Sequence, residues 1–281
     1  MRNADERTLG GVEVEIAARR GTTNGDGHAT VGDIPAGTFP VQFGLPTLPP
    51  FLSIVRVTTV TLPQSAEVAV PVTYPIGQNT PGVFLAFGDS ITSGDGSTDG
   101  YGYRARLGRK LTPFYRHGIG VDYRGGGGGR TGMAVERVVM DLRQVRPAVT
   151  LIQWGVNDYN GGRCRPDTCD ALPNLRQLIH AVRDANSLPV IATLTPSNTG
   201  FDARAPEDRD LWVKEMNGLI RTMAAEEGAL LADLYAGFER APGRIRDYMT
   251  DHIHPNDAGY EIIAQVYFDA LTRPRGNAVV R

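Results

Sequence analysis

From Val83 onward, short apolar runs alternate with longer helical stretches, and this alternation limits the fold more than any other feature of the chain. Strands are expected over 83–87, 119–123, 150–154, 189–194 and 229–234. Helices are expected near 101–115, 131–145, 171–186 and 206–227, with a last one near 256–272. A run such as Val83-Phe84-Leu85-Ala86-Phe87 carries no polar alternation, so both faces of its sheet must be covered. Single strands separated by helix-length crossovers give a parallel sheet between two helical layers. Such sheets gather their functional side chains at the carboxyl ends of the strands.

Residues 11 to about 75 have a different texture. Alternating runs such as Val12-Glu13-Val14-Glu15-Ile16, Thr38-Phe39-Pro40-Val41-Gln42-Phe43 and Ala66-Glu67-Val68-Ala69-Val70 are separated by Gly, Pro and Asn-Gly turns, which reads as a small antiparallel sandwich. The segment from Gly21 to Val31, with Ile34-Pro35-Ala36-Gly37-Thr38-Phe39 after it, resembles carboxypeptidase-regulatory-like (transthyretin-like) modules. The expected organisation is therefore an accessory module over 1–75, a turn-forming linker over 76–82 and a second domain over 83–281. No catalytic constellation falls in the first of these.

Charge excludes several functions. With 29 Lys and Arg against 31 Asp and Glu, the chain has no global field for gathering nucleic acid or anionic lipid. No stretch approaches the roughly 18 to 20 apolar residues needed to cross a bilayer, and residues 1–7 lack an apolar signal core. The two cysteines, Cys164 and Cys169, are spaced for a small loop disulfide better than for zinc, with two free thiols as the alternative. A bridge would point to an oxidising compartment, hence to a secreted or cell-surface protein whose start is that of a mature chain.

Four blocks carry chemistry. The first strand runs into Gly88-Asp89-Ser90, which would hold a serine hydroxyl at the sheet's carboxyl edge. This is not the G-x-S-x-G elbow: glycine lies two residues before the serine, as there, but Thr92 takes the other glycine's place. After the second strand come Gly125 to Gly129, Arg130 and Thr131, five glycines that expose N–H groups before a helix, suited to an anion or oxyanion. A P-loop fails here, since Arg130 stands where lysine is needed and Arg124 where glycine is needed. Gly127, Gly129 and Gly132 satisfy G-x-G-x-x-G, but the strand at 150–154 ends without a ribose-binding acid. No nucleotide cofactor is expected.

The third strand ends in Gly155-Val156-Asn157-Asp158, where the Asn157 amide can aim at the crevice that Ser90 faces; as the alternative, Asn157 and Asp158 cap the next segment. The last block is Asp251-His252-Ile253-His254-Pro255. Serine hydrolysis needs a base titrating near neutrality and a carboxylate to fix its tautomer, and one short turn here supplies both. Of the five histidines, His28, His117 and His180 fall in the accessory module, a connection and a helix. His254 is favoured over His252 because Pro255 closes the turn behind it and a helix starts at Asn256. A metal on Asp251, His252 and His254 would lack a clear further ligand, so none is expected.

Taken in order and spacing, these blocks resemble the SGNH, or GDSL-like, hydrolase superfamily over roughly residues 83–273. The resemblance implies a flavodoxin-like three-layer α/β/α domain with a five-stranded parallel sheet. It also implies a serine carboxylic-ester hydrolase with Ser90 as nucleophile, His254 as base and Asp251 as its orienting acid. The oxyanion hole would combine the Ser90 amide, the Asn157 side chain and a second-block glycine amide. Spacing to Thr131 favours Gly129, with Gly128 and Gly126 behind it. Ile91 replaces the family's usual leucine. The partner expected is a small-molecule or carbohydrate-linked ester, cleaved without metal or cofactor. An acyltransferase and a catalytically silent glycan-binding module are the competing readings, and oligomeric state leaves no trace in the residues.

Overall fold

The computed structural model describes residues 1, 7–43, 52–54, 59–63, 73–115, 118–161, 164–198 and 208–272. Near the N-terminus, β1 (Glu13–Ile16), β2 (Arg19–Thr22), β3 (Gly37–Phe43) and β5 (Thr59–Leu62) form an antiparallel sheet in the order β2-β1-β3-β5. Alternation sets its inner face: Val14 lies opposite Phe43 across β1 and β3, and both join Met1, Leu9, Val12, Val41 and Val60 in a small core of their own. A further antiparallel pair joins β4 (Leu52–Ile54) to β6 (Thr73–Pro75). The run Ala66–Val70 and His117 lie outside the described residues.

The second body is the expected three-layer arrangement. Strands β7 (Thr80–Gly88), β8 (Gly120–Gly125), β9 (Pro147–Gln153), β10 (Leu188–Ala192) and β11 (Leu230–Ala232) make one parallel sheet in the order β8-β7-β9-β10-β11. Phe84, Leu85, Ala86 and Phe87 of β7 are all buried, and so is every residue of β9, as strands covered on both faces require. Helix α1 (Ser90–Ser93) follows β7 directly. Helices α3 (Thr131–Val145), α4 (Ala171–Asp184) and α5 (Arg209–Glu227) pack in succession on one another, while α2 (Tyr103–Leu111) and α6 (Leu234–Arg240) pack on α7 (Asp257–Thr272). Two helical groups thus flank the sheet.

Several boundaries differ from the sequence reading. Helix α2 stops at Leu111 rather than near 115, where Pro113 withholds an N–H from the helix. Helix α6 has no counterpart among the expected elements; its seven residues are capped by Asp233, whose side chain accepts from Ala236 N. The stretch 76–82, expected as a linker, is docked. Ile76 is buried in the larger core, Gly77 N donates to Ala148 O (2.7 Å), Gln78 N donates to Asn186 O (2.9 Å), and β7 already begins at Thr80. At Gly77 a Cβ would lie 2.4 Å from Ala148 O, so only glycine permits this approach.

Candidate active site

With β8 added on one side of β7 and β9, β10 and β11 on the other, the sheet reverses direction of winding between β7 and β9, and the crevice at that switch point is where parallel α/β sheets place ligands. Ser90 follows β7 there and Asn157 follows β9. Gly88 makes the turn out of β7: a Cβ on it would stand 2.0 Å from Thr92 Oγ1 and 2.5 Å from Gln153 O. Asp89 then caps α1, its carboxylate accepting from Ile91 N (3.0 Å). As the first residue of α1, Ser90 has no intrahelical acceptor for its N–H, which therefore stays directed out of the helix end.

Asp251 and His254 reach the same point from the other side of the crevice. Asp251 Oδ1 accepts from Ile253 N and His254 N, each at 2.7 Å, which folds the segment into a tight turn. Thr250 N closes it by donating to His254 O (2.8 Å), and Met249 and Pro255 form a β-bridge. The His254 ring then spans two partners: Nδ1 is 2.7 Å from Asp251 Oδ2, and Nε2 is 2.9 Å from Ser90 Oγ. A carboxylate can only accept, so Nδ1 carries the ring proton and Nε2 is left as an acceptor for the serine hydroxyl. It is His254 that meets Ser90; His252 offers its carbonyl to Asn198 N (2.9 Å). Helix α7 starts at Asp257, one residue later than expected, with Asn256 Oδ1 accepting from Gly259 N.

Electrostatics divide the carboxylates of this region. Burial works to raise the Asp251 carboxyl, but the bonds from the His254 ring and from the two backbone N–H groups outweigh it and hold it below its ordinary value. Asp89 goes the other way: almost fully buried, it is pushed up to about 7 by desolvation, which the Ile91 N–H only partly offsets.

Asn157 is buried, and its Nδ2 donates to Gly129 O (3.1 Å), which fixes the amide plane and leaves a second N–H for the crevice. Gly129, the expected backbone donor, gives its own N–H to Gly126 O (3.1 Å) because the glycine run folds back in a turn. It lies under Met133 and Trp154, with no room for a Cβ. Gly127 faces the serine, its Cβ position being 3.9 Å from Ser90 Cβ.

Two residues anchor the loops around Asn157: Asp158, read from the sequence only as a cap for the next segment, and Arg209, to which the sequence assigned no role. Asp158 caps α3, its carboxylate accepting from Thr131 N (3.0 Å) and Thr131 Oγ1 (2.7 Å), and burial raises its pKa against those bonds. Arg209, the first residue of α5, donates from Nη2 to Val156 O (2.9 Å) and from Nη1 to Asn160 Oδ1 (3.2 Å). Beside the site, Cys164 and Cys169 are joined in a disulfide. Among the described residues, no cluster of His, Cys, Asp and Glu is gathered as a metal site, and no helix is long and apolar enough to cross a membrane.

A family model for the GDSL-like Lipase/Acylhydrolase family matches residues 86–262. Three solved structures share the fold. A catalytic mutant of Axe2, an acetylxylan esterase from Geobacillus stearothermophilus, is 19% identical with a TM-score of 0.58, over 71% of this chain and 98% of that one. The lipase/acylhydrolase from Enterococcus faecalis is 21% identical with a TM-score of 0.57, over 69% of this chain and 99% of that one. LAE5, an alpha/beta hydrolase from the metagenome of Lake Arreo, Spain, is 21% identical with a TM-score of 0.54, over 68% of this chain and 95% of that one. No curated protein matches the sequence.

Proposed function

Because this chain belongs to the GDSL-like lipase/acylhydrolase family, and is on that ground a carboxylic ester hydrolase, we propose that it works through an acyl-enzyme formed on Ser90. Ser90 Oγ attacks the ester carbonyl as His254 Nε2 takes its proton. The tetrahedral adduct collapses by breaking the bond to the alcohol oxygen, which recovers that proton from His254. Water, deprotonated by His254, then cleaves the acyl–serine ester and the proton returns to Oγ. Asp251 fixes the His254 tautomer and stabilises the imidazolium formed in each half-reaction.

Negative charge on the carbonyl oxygen is held by the Ser90 N–H, the Asn157 amide and the Gly129 N–H, the last exchanging its turn bond to Gly126 O for the oxyanion. Each such donor contributes about 3 to 4 kcal/mol in the transition state. The observation that carries this reading is the unbroken relay from Ser90 Oγ to His254 Nε2 (2.9 Å) and from His254 Nδ1 to Asp251 Oδ2 (2.7 Å).

For substrate, we favour short acyl esters, acetyl esters of carbohydrates first among them. The fold shared with an acetylxylan esterase supports this, as does an N-terminal antiparallel sheet with its own core, which we read as an accessory module over 1–75 attached to a catalytic domain over 83–281. The Cys164–Cys169 disulfide supports action at the cell surface or outside it. Ser90→Ala tests the mechanism: release of p-nitrophenol from its acetate ester should fall by at least about 10⁴-fold with the melting temperature unchanged. Undiminished turnover rejects the assignment. Rates across acyl chains from acetate to laurate, beside acetylated xylan, test the substrate class.

A further inference from the structure

Arg209 is 2% exposed, yet its hydrogen bonds run to a backbone carbonyl and an amide oxygen rather than to a carboxylate, and its Nε meets no acceptor among the described residues. Among the described residues no carboxylate bonds this buried guanidinium directly; burial lowers its pKa, against the longer-range pull of Asp251 and Asp89, and such a group is a costly way to fill space. What it touches gives the reason for keeping it. Val156 O and Asn160 Oδ1 lie on either side of Asn157, and the guanidinium sits over the Tyr159 ring in the same loop, 5.1 Å from its centroid.

The loop itself is two tight turns, Asp158 N to Gly155 O (3.0 Å) and Asn160 N to Asn157 O (3.1 Å), beginning at Gly155 with φ +126°. From the α3 side it is held by Asp158 on Thr131. From the α5 side, Arg209 holds it on both flanks of Asn157. The rigid fork of a guanidinium, with its two Nη atoms on separate acceptors, holds both flanks in one fixed geometry as a freely rotating ammonium does not. We infer that Arg209 is a positioning residue, clamping the loop after β9 so that the second N–H of the Asn157 amide points at the substrate's carbonyl oxygen. The inference rests on the reading of Asn157 as an oxyanion donor. Preorganisation is what makes such a donor effective, so a slack loop should slow the chemical step and leave ground-state binding nearly untouched.

The test is a double-mutant cycle on kcat and KM for p-nitrophenyl acetate. Arg209→Lys keeps the charge and loses the fork. In the wild-type background it should lower kcat by roughly tenfold with KM within about twofold, and in an Asn157→Ala background by less than about threefold. Asn160→Ala, at an exposed position, loosens one flank and should lower kcat by about threefold, an effect that also disappears in the Asn157→Ala background. This second variant keeps the test alive if Arg209→Lys does not fold. Equal losses in both backgrounds would mean that Arg209 acts on the fold alone, and would overturn the inference. Wild-type kcat in Asn157→Ala by itself would overturn the oxyanion reading beneath it, whatever Arg209→Lys does.

Discussion

Replacing Asp251 by asparagine isolates the tautomer of His254 from the shape of the turn that carries it. Asparagine can retain the two bonds that Oδ1 accepts from Ile253 N and His254 N, each 2.7 Å long, so the backbone turn survives. At the Oδ2 position it presents an N–H to His254 Nδ1, 2.7 Å away, where the wild type presents an acceptor. Two donors cannot share that gap. The ring therefore gives up its Nδ1 proton and carries one on Nε2, which then faces Ser90 Oγ as a donor and cannot serve as its base. Where triad geometry stays intact, this inversion costs about 10⁴ in kcat, or about 5 kcal/mol of barrier. The loss in stability is much smaller: one charge-assisted bond is worth about 2 kcal/mol, and the Asp251 side chain is 39% exposed, so screening leaves roughly 1 kcal/mol. Asp251→Ala loses the turn bonds as well and should melt several degrees lower for the same loss of activity. Steady-state hydrolysis of p-nitrophenyl acetate with thermal melts of both variants reads these quantities. An Asp251→Asn enzyme within tenfold of wild-type kcat would refute the reasoning.

Three further outcomes are expected. Asn157→Ala should lower kcat by 10²- to 10³-fold, at nearly constant KM, through loss of one oxyanion donor; a proportionate rise in KM instead would assign Asn157 to substrate binding. Asp89 is raised from 3.8 to about 7 in the fold, so the stability it contributes is complete below pH 3.8 and is lost as pH rises through about 7. Asp89→Asn keeps the cap to Ile91 N without the charge, so its stability relative to wild type should climb by up to ~4 kcal/mol between pH 4 and 7 and then level off. Denaturation midpoints showing a pH-independent difference would contradict that. Gly88→Ala puts a Cβ 2.5 Å from Gln153 O, a backbone atom that cannot swing aside, and should cost both stability and activity; an unchanged melt would mean that the turn relaxes freely.

Much of the sheet was legible because its strands are unbroken apolar runs: Val83 to Phe87, too short for a helix and ended by Gly88, reads as a buried strand, and it lies within β7. Ser90, Asn157, Asp251 and His254 stood out because each sits where a strand or short turn ends, in residue types that ester hydrolysis needs. What escaped notice depends on contacts distant in sequence. Arg209 lies in a run of charged residues, and nothing local distinguishes it from its neighbours; its bonds to Val156 and Asn160 exist only once α5 meets the loop after β9. Asp158 reads as a cap for its own segment and instead caps α3, some 27 residues earlier. The stretch 76–82 has turn-forming composition, but Ile76 and the tight fit of Gly77 against Ala148 dock it. Within the glycine run, identical residues give the sequence no means of telling which N–H is engaged in the turn.

Covalent labelling by a fluorophosphonate probe, with the modified peptide located by mass spectrometry, tests the nucleophile most directly. A single adduct is expected on the peptide bearing Ser90, absent from Ser90→Ala and formed far more slowly in His254→Ala. Esterase activity persisting in an enzyme that takes no label, or a label found on another residue, would contradict the account.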